Sequence, residues 1–541
     1  MTQQQEATPD HCTQVSGKIW TTAFALLLIL LLATALRWPM IVRAERHMDS
    51  DLAVDGLTLR ELVEDGHWRW HYPGTPHIGT LPVLFSMPVA MFWGGDGPSS
   101  LVFAGLICNL LIVAGLFFLV REYCGETSAI IGCLILASGG LGQVWLGSRV
   151  TGGHLLAAAW SVWSWFFWTR IVKSHSIKRW FAFGFFCSLG LWNDSLFMLS
   201  LMGLGAASLI ASWVLRKEVH IRRRLSQALA FLIILPFWPV LNRNLGDGYN
   251  AYGSQFEITT DPEVLRNHTR LLVLECLPRL LLGRTLKGGT TEIQLTHLKS
   301  ADWLSSDQAG ILVWVLMAFF LMPILLRLKS VSNATHRNLQ SSNAKEIWMC
   351  VWIGNILTAV ATIAAFRFNL HIYNADNYRY LVLLIPMAGM FFGVLAEIGP
   401  AMVIRRMMLT CLACFLATDV FLWQRANGFR DTNPPPMEPG LQEMLQEGLL
   451  KSTFQADYWE VYRGLYLANR PISQGRPFGF FPDRFPEKSP KNPDQIVIGK
   501  SPTSLQMLQQ ARQQGASLKF RYRGFEVYQS YSSFSDSENS D

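Results

Sequence analysis

The sequence predicts an all-α polytopic membrane protein of about 11 spanning helices, with a small α/β domain at its carboxy-terminal end. Three observations predict this. Half of the 541 residues are hydrophobic and 16% are charged, and the mean hydropathy is +0.23, far more apolar than a soluble domain. Apolar runs close to the ~20 residues that cross a bilayer recur along the chain. Connections rich in Lys and Arg alternate with connections of other composition, as the positive-inside rule requires of a multi-pass protein.

The apolar runs fall near 19–38, 99–120, 128–147, 154–172, 180–193, 196–215, 226–241, 309–328, 347–366, 378–398 and 407–423. The stretch 77–94 is apolar but broken by Pro82 and Pro88, so it reads as a helix along the interface or re-entering, not as a span. Basic residues gather in four connections: Arg170, Lys173, Lys178 and Arg179; Arg216, Lys217 and Arg222–Arg224; Arg327, Lys329, Arg337 and Lys345; and Arg405 with Arg406. The predicted spans put all four on one side, which the positive-inside rule makes cytoplasmic. Residues 1–18 are then a cytoplasmic tail. The first outer loop is 39–98 and the large outer loop is 242–308; the loop 367–377 and everything beyond 423 are also outside. Ala33-Thr34-Ala35 has the pattern of a signal-peptidase site, yet the long apolar run before it reads as an uncleaved anchor.

The transmembrane domain is predicted over 19–423. Pro434-Pro435-Pro436 and Pro439-Gly440 mark a boundary region, and the outer domain is predicted over 424–531. Leu441–Leu450 has helical periodicity, and Gln495–Ile498 and Leu518–Tyr522 read as strands on either side of a helix at Ser504–Gln514. The polar end, 532–541, is expected to be disordered.

A net charge of +7 does not point to nucleic acid, because its cations sit in short inter-span connections. The nine cysteines give no disulfide framework, and Cys411 with Cys414 lies inside an apolar run without a second pair or a histidine.

One stretch carries chemistry. Asp49, Asp51 and Asp55 crowd together just after the first span. Acid–base work needs a carboxylate in partly dry surroundings, and a membrane mouth supplies them. A solvated acidic loop is the plain alternative. Asp51 also suits the amino-terminal cap of a helix over Leu52–Val63, and Asp55 lies one turn further on the same face.

The segment continues through Trp70-His71-Tyr72-Pro73-Gly74-Thr75-Pro76-His77-Ile78-Gly79 to Phe92-Trp93-Gly94. It resembles the first outer loop of the C-type (GT-C) membrane glycosyltransferases, the superfamily of the protein O-mannosyltransferases and aminoarabinose transferases, and in particular a large bacterial group within it. Tyr378-Arg379-Tyr380-Leu381 through Pro386 is similar to a motif at the start of a late span in the same superfamily. Ala456-Asp457-Tyr458-Trp459-Glu460-Val461-Tyr462-Arg463 is similar to an element in the tails of the bacterial group. The chain departs from the pattern at Leu52, where the family carries an acid beside the Asp.

The resemblance implies an integral-membrane glycosyltransferase of a bacterial inner membrane. It would move a sugar from a polyprenyl-phosphate-linked donor to an extracytoplasmic glycan, lipid or protein acceptor by a single inverting displacement. It implies Asp51 as general base with Asp55 beside it, and Arg379 and Arg149 as cations for the donor phosphate. Tyr72, His77, His154 and Tyr380 would line the substrates. No cofactor is fixed, although Asp51 with Asp55 offers a place for a divalent cation. The partners implied are the lipid donor, the acceptor and membrane lipids, with no nucleic acid. The rival readings are a transporter or lipid flippase, which should carry ionisable residues in mid-span, and an inactive envelope scaffold, which Leu52 keeps open.

Overall fold

The structure, a computed structural model, describes residues 10–42, 44–73, 75–95, 97–139, 141–147, 154–174, 176–215, 257–277, 280, 342–372, 375–398, 440–478, 484–499 and 502–529. The predicted spans at 226–241, 309–328 and 407–423 lie outside these residues, as do Cys411, Cys414 and Arg149.

The first half is helical: α1 (Asp10–Val42), α2 (Ser50–Asp65), α3 (Leu81–Val89), α4 (Pro98–Cys124), α5 (Glu126–Ser138), α6 (Leu141–Leu146), α7 (His154–Lys173), α8 (Ile177–Asn193) and α9 (Phe197–Val214). A hairpin of β1 (His71–Tyr72) and β2 (Thr75–Gly79) stands between α2 and α3. Then come α10 (Pro262–Arg270), α11 (Ser342–Phe368), a 3₁₀ turn at Ala375–Leu381, and α12 (Leu384–Ile398). Among the described residues, four helices are long and apolar enough to cross a membrane: Thr21–Val42 of α1, α4, α9 and Lys345–Phe368 of α11.

Two sequence readings need correction. The run 128–147 is not one helix: α5 ends at Gly139, whose φ of 47° favours glycine and turns the chain into α6. The stretch 77–94 is not wholly helical either. It begins as strand β2, and helix α3 starts only after Thr80, with Pro82 in its first turn where a missing N–H costs nothing.

Small residues bring the helices together, as interfaces without a hydrophobic driving force require. Gly203 of α9 lies against Thr358 and Gly354 of α11, and Gly132 of α5 against Gly389 of α12. Near the end of α1, Arg37 is 1% exposed. It donates to the carbonyls of Ala33 at 3.1 Å and Ala137 at 3.0 Å, the latter in the last turn of α5, where helix carbonyls lack partners and the dipole favours a cation.

The carboxy-terminal region contains α13 (Gly440–Gln446), β3 (Phe454–Asp457), α14 (Tyr458–Leu467), β4 (Gly475–Phe478), β5 (Gln495–Ile498), α15 (Pro502–Gln513), β6 (Ser517–Tyr522) and β7 (Phe525–Gln529). Its sheet runs β4-β3-β5-β7-β6. The strands β4, β3 and β5 are parallel, and β7 and β6 complete the sheet antiparallel. A small core of Ile496, Ile498, Met507, Ala511 and Tyr528 seats α15 on it.

What positions the site is the docking of this region on α2. Leu52, Val54, Leu57 and Leu59 of α2 share one continuous core with the bundle and with Tyr458, Tyr462 and Tyr466 of α14. Gly56 is the closest approach: a Cβ there would overlap the Tyr466 ring. Glu61, buried at 6% exposure, pairs with Arg69 at 2.8 Å and with Lys488 at 2.6 Å, tying α2 to both the hairpin and the outer domain.

Candidate functional site

The first turn of α2 decides which acid is available. Its cap is Asp49, whose carboxylate accepts the Leu52 N–H at 2.8 Å. This corrects the expectation that Asp51 is the cap: both acids precede the apolar stretch, and the helix begins at Ser50. With its own helix capped by Asp49, Asp51 turns outward, and its side chain keeps 22% of its surface exposed.

Asp51 is held from two sides. Arg379 Nη1 donates to its Oδ2 at 3.2 Å, and the Tyr458 hydroxyl donates to its Oδ1 at 2.9 Å. Arg484 stands behind Tyr458, its Nε donating to that hydroxyl at 3.1 Å and its backbone N–H donating to Tyr462 Oη at 2.7 Å. Ser50 Oγ fixes the start of α14 by donating to the Tyr458 carbonyl at 2.7 Å. Burial raises the Asp51 pKa, but Arg379, Arg484 and the two hydrogen bonds outweigh it, so the carboxyl lies below its ordinary range. Asp51 is therefore ionised at neutral pH.

Asp55, one turn on, behaves oppositely. It is 3% exposed. Burial, then the charge of Asp51, push its pKa well above the ordinary carboxylate range. Tyr72, also buried, faces Asp55 and eases that shift, in a geometry short of a full hydrogen bond. One α2 face thus carries two acids a turn apart whose environments push their pKa values in opposite directions. Arg379 and Tyr458 occupy the two oxygens of Asp51. Among the described residues, no three His, Cys, Asp or Glu converge as metal ligands.

Leu52, the departure from the family pattern, is 1% exposed and sits in the core. Burying a leucine stabilises by about 2 kcal/mol, and a carboxylate directed there would be stripped of water. Position 52 does not face the site, whereas position 55 stands beside Asp51.

Further residues form a second layer. His154, at the start of α7, contacts Asp194 through Nδ1. The other oxygen of Asp194 accepts the Leu196 N–H at 2.8 Å, and Asp194 also bridges to Ile78 of β2. A carboxylate at Nδ1 fixes the imidazole tautomer. The His154 ring meets Tyr380 edge-on at 5.0 Å, and the Arg379 guanidinium lies 5.6 Å from the same Tyr380 ring.

The structure thus brings together Asp51, Asp55, Tyr72, His154, Arg379 and Tyr380, residues the sequence singled out. His77 is in strand β2, and its side chain lies outside the described set, as does all of Arg149. Sequence reasoning missed Tyr458 and Arg484. A signal for Tyr458 exists in the tail element Ala456–Arg463, which by itself points to kinship and not to a contribution to the site.

Residues 84–242 match the family model described as dolichyl-phosphate-mannose-protein mannosyltransferase, a segment that includes His154 and Asp194 but neither Asp51 nor Arg379. No curated protein sequence matches the chain. Among solved structures, ArnT from Cupriavidus metallidurans bound to undecaprenyl phosphate superposes with a TM-score of 0.59 at 12% identity, covering 96% of this chain and 99% of that one. The same protein in the apo state gives 0.54 at 11% identity, covering 95% and 98%. At such identities the likeness is one of fold, over nearly the full length of both chains.

Proposed function

Because the chain has the fold of the C-type (GT-C) membrane glycosyltransferases, we propose that it is an integral-membrane glycosyltransferase drawing on a polyprenyl-phosphate-linked sugar. The observation that carries the proposal is the contact of Asp51 with Arg379. It joins a proton acceptor and a phosphate-binding fork, which this chemistry needs at one place. Basic inter-span connections support a cytoplasmic amino terminus and an extracytoplasmic site in a bacterial inner membrane.

In the proposed reaction an acceptor hydroxyl or amine attacks the anomeric carbon from the face opposite the phosphate. Its proton passes to Asp51 as the new bond to carbon forms. The bond from that carbon to the phosphate oxygen breaks, and its electron pair leaves with the polyprenyl phosphate, whose charge Arg379 receives. Configuration inverts because there is one displacement.

The resting contacts add a condition. Arg379 and Tyr458 take one oxygen of Asp51 each, and both make it a weak base. A donor phosphate competes for Arg379. When the guanidinium turns to the phosphate, Oδ2 is freed and its basicity rises, so donor binding precedes acceptor activation. Tyr458 stays on Oδ1 and keeps the carboxylate oriented. Asp55, whose carboxyl is pushed up by burial and by the charge of Asp51, stands beside Asp51 on the same face. Tyr72, His77, His154 and Tyr380 line the substrates, and Arg149 is a second cation for the donor phosphate.

The test is transfer by purified full-length protein from a short-chain polyprenyl-phospho-sugar, beside Asp51→Asn. Loss of at least about a hundredfold is expected for a missing general base. Equal turnover by the two proteins would remove Asp51 from the reaction. Movement of intact donor across vesicles without sugar release would favour a flippase instead.

A further inference from the structure

A second cationic place lies away from Asp51. Helix α10 leans on α11, and the wide turn after it (Leu271–Cys276) packs on the 3₁₀ turn at Ala375–Leu381. His268 Nδ1 bonds the Arg367 carbonyl at 2.9 Å, and Thr259 N–H bonds the Phe368 carbonyl at 2.9 Å. Between them is an open groove of about 620 Å³ lined by Arg266, Arg270 and Arg367, with Thr269, Val273 and Leu274 among its walls.

Three features define what fits there. Arg266 and Arg270 are four apart on one helix face, an arrangement of like charges that repels itself, and Arg367 adds a third cation from α11. Among the described residues, no carboxylate lines the groove or forms an ion pair with any of the three. Beside it are exposed apolar side chains, Ile258 at 70%, Phe368 at 38% and Leu370 at 43%, on the strand-like bridge that joins Ile258 to Asn369. Cations without a counter-ion next to bare apolar surface match an amphiphile with an anionic head and hydrocarbon tails. The lining offers no general base, so the phosphate it takes is not at a reacting centre.

We propose that this groove is a binding site for the phosphate headgroup of an anionic glycerophospholipid. Two or three guanidiniums grip the phosphodiester, and its acyl chains run over Ile258, Phe368 and Leu370. The 3₁₀ turn carrying Arg379 packs on the wide turn that forms one wall, so lipid in the groove braces the backing of Arg379.

Native mass spectrometry of full-length protein in neutral detergent tests this, with phosphatidylglycerol and phosphatidylcholine offered at equal concentration. Wild type should retain phosphatidylglycerol in preference. Each arginine near an anionic surface contributes about fivefold, so Arg266→Gln, Arg270→Gln and Arg367→Gln together should erase roughly a hundredfold of it. The corresponding triple lysine variant should keep most of the preference and shows that the exchanges are tolerated. No preference in wild type, or the same preference in the triple glutamine variant, overturns the proposal. So does a third arm in which polyprenyl phosphate displaces phosphatidylglycerol at equal concentration and the same three arginines are needed. The readout is lipid retention, so it stands or falls independently of sugar transfer.

Discussion

Two clusters of guanidinium groups treat their charge in opposite ways. Around Asp51, Arg379 and Arg484 stand beside a carboxylate; Arg379 donates to it directly, and Arg484 donates to the Tyr458 hydroxyl that holds its other oxygen. In the groove of α10 and α11, no carboxylate among the described residues lines the groove beside Arg266, Arg270 and Arg367. The paired cluster has a built-in competitor that an arriving anion must displace, which makes it selective and switchable. Among the described residues the unpaired cluster has none, so the phospholipid headgroup proposed for it meets no such competitor. Both features are cationic, but in one the charge is met by an acid and in the other, among the described residues, it is not.

The comparison breaks most directly at Asp51. Asp51→Asn should lower transfer by about 10²–10⁴-fold, measured as initial rate with saturating donor. If the variant keeps wild-type rate, the paired cluster is no more catalytic than the groove. Arg379→Gln should cost roughly 10–100-fold in kcat/KM for donor, the usual scale for losing a charge-assisted hydrogen bond. An effect confined to the acceptor KM would refute its role at the phosphate.

Tyr458→Phe sharpens the contrast. It removes one hydrogen bond to Asp51, so about a tenfold loss is expected. The sign of the accompanying pH shift is fixed. The bond lowers the Asp51 pKa, so removing it raises that pKa and moves the acid limb of the rate profile to higher pH. An unmoved limb with reduced rate would mean that Tyr458 is only structural.

The smallest effect concerns stability. The folded pKa of Asp51 is depressed, so its stabilisation is present above the ordinary carboxylate range and lost as pH falls through the folded value. Asp55 is the reverse: its pKa is raised, so its contribution is intact in acid and lost as pH rises through the folded value. Melting of Asp51→Asn should therefore fall below wild type at neutral pH and converge with it in acid. Asp55→Asn should match wild type in acid and gain on it as pH rises. Parallel curves for both variants would contradict the two environments.

Part of this was legible in the sequence. Asp51 and Arg379, which the structure brings into contact, each sit in a short motif that is readable without its surroundings. Strand β5, helix α15 and strand β6 follow from local periodicity that tertiary packing did not override. The cap was misjudged because Asp49 and Asp51 are equivalent in pattern and differ only in where the first helical turn starts. Tyr458 and Arg484 were missed for another reason. Nothing local says that the β3–α14 junction lands on α2, since that contact depends on Gly56 admitting the Tyr466 ring. The two-residue strand β1 likewise exists only because β2 pairs with it while bridging to Asp194.

The span of the Asp51 contacts along the chain has a consequence for biogenesis. Its bond to Arg379 closes 328 residues and its bond to Tyr458 closes 407. During synthesis the acid is inserted early and waits, uncapped, until most of the protein has followed. A nascent or truncated polypeptide ending before residue 440 would hold the acid and the membrane helices yet lack the hydroxyl that orients the carboxylate. The arrangement around Asp51 is thus complete only once the region carrying Tyr458 has closed over α2.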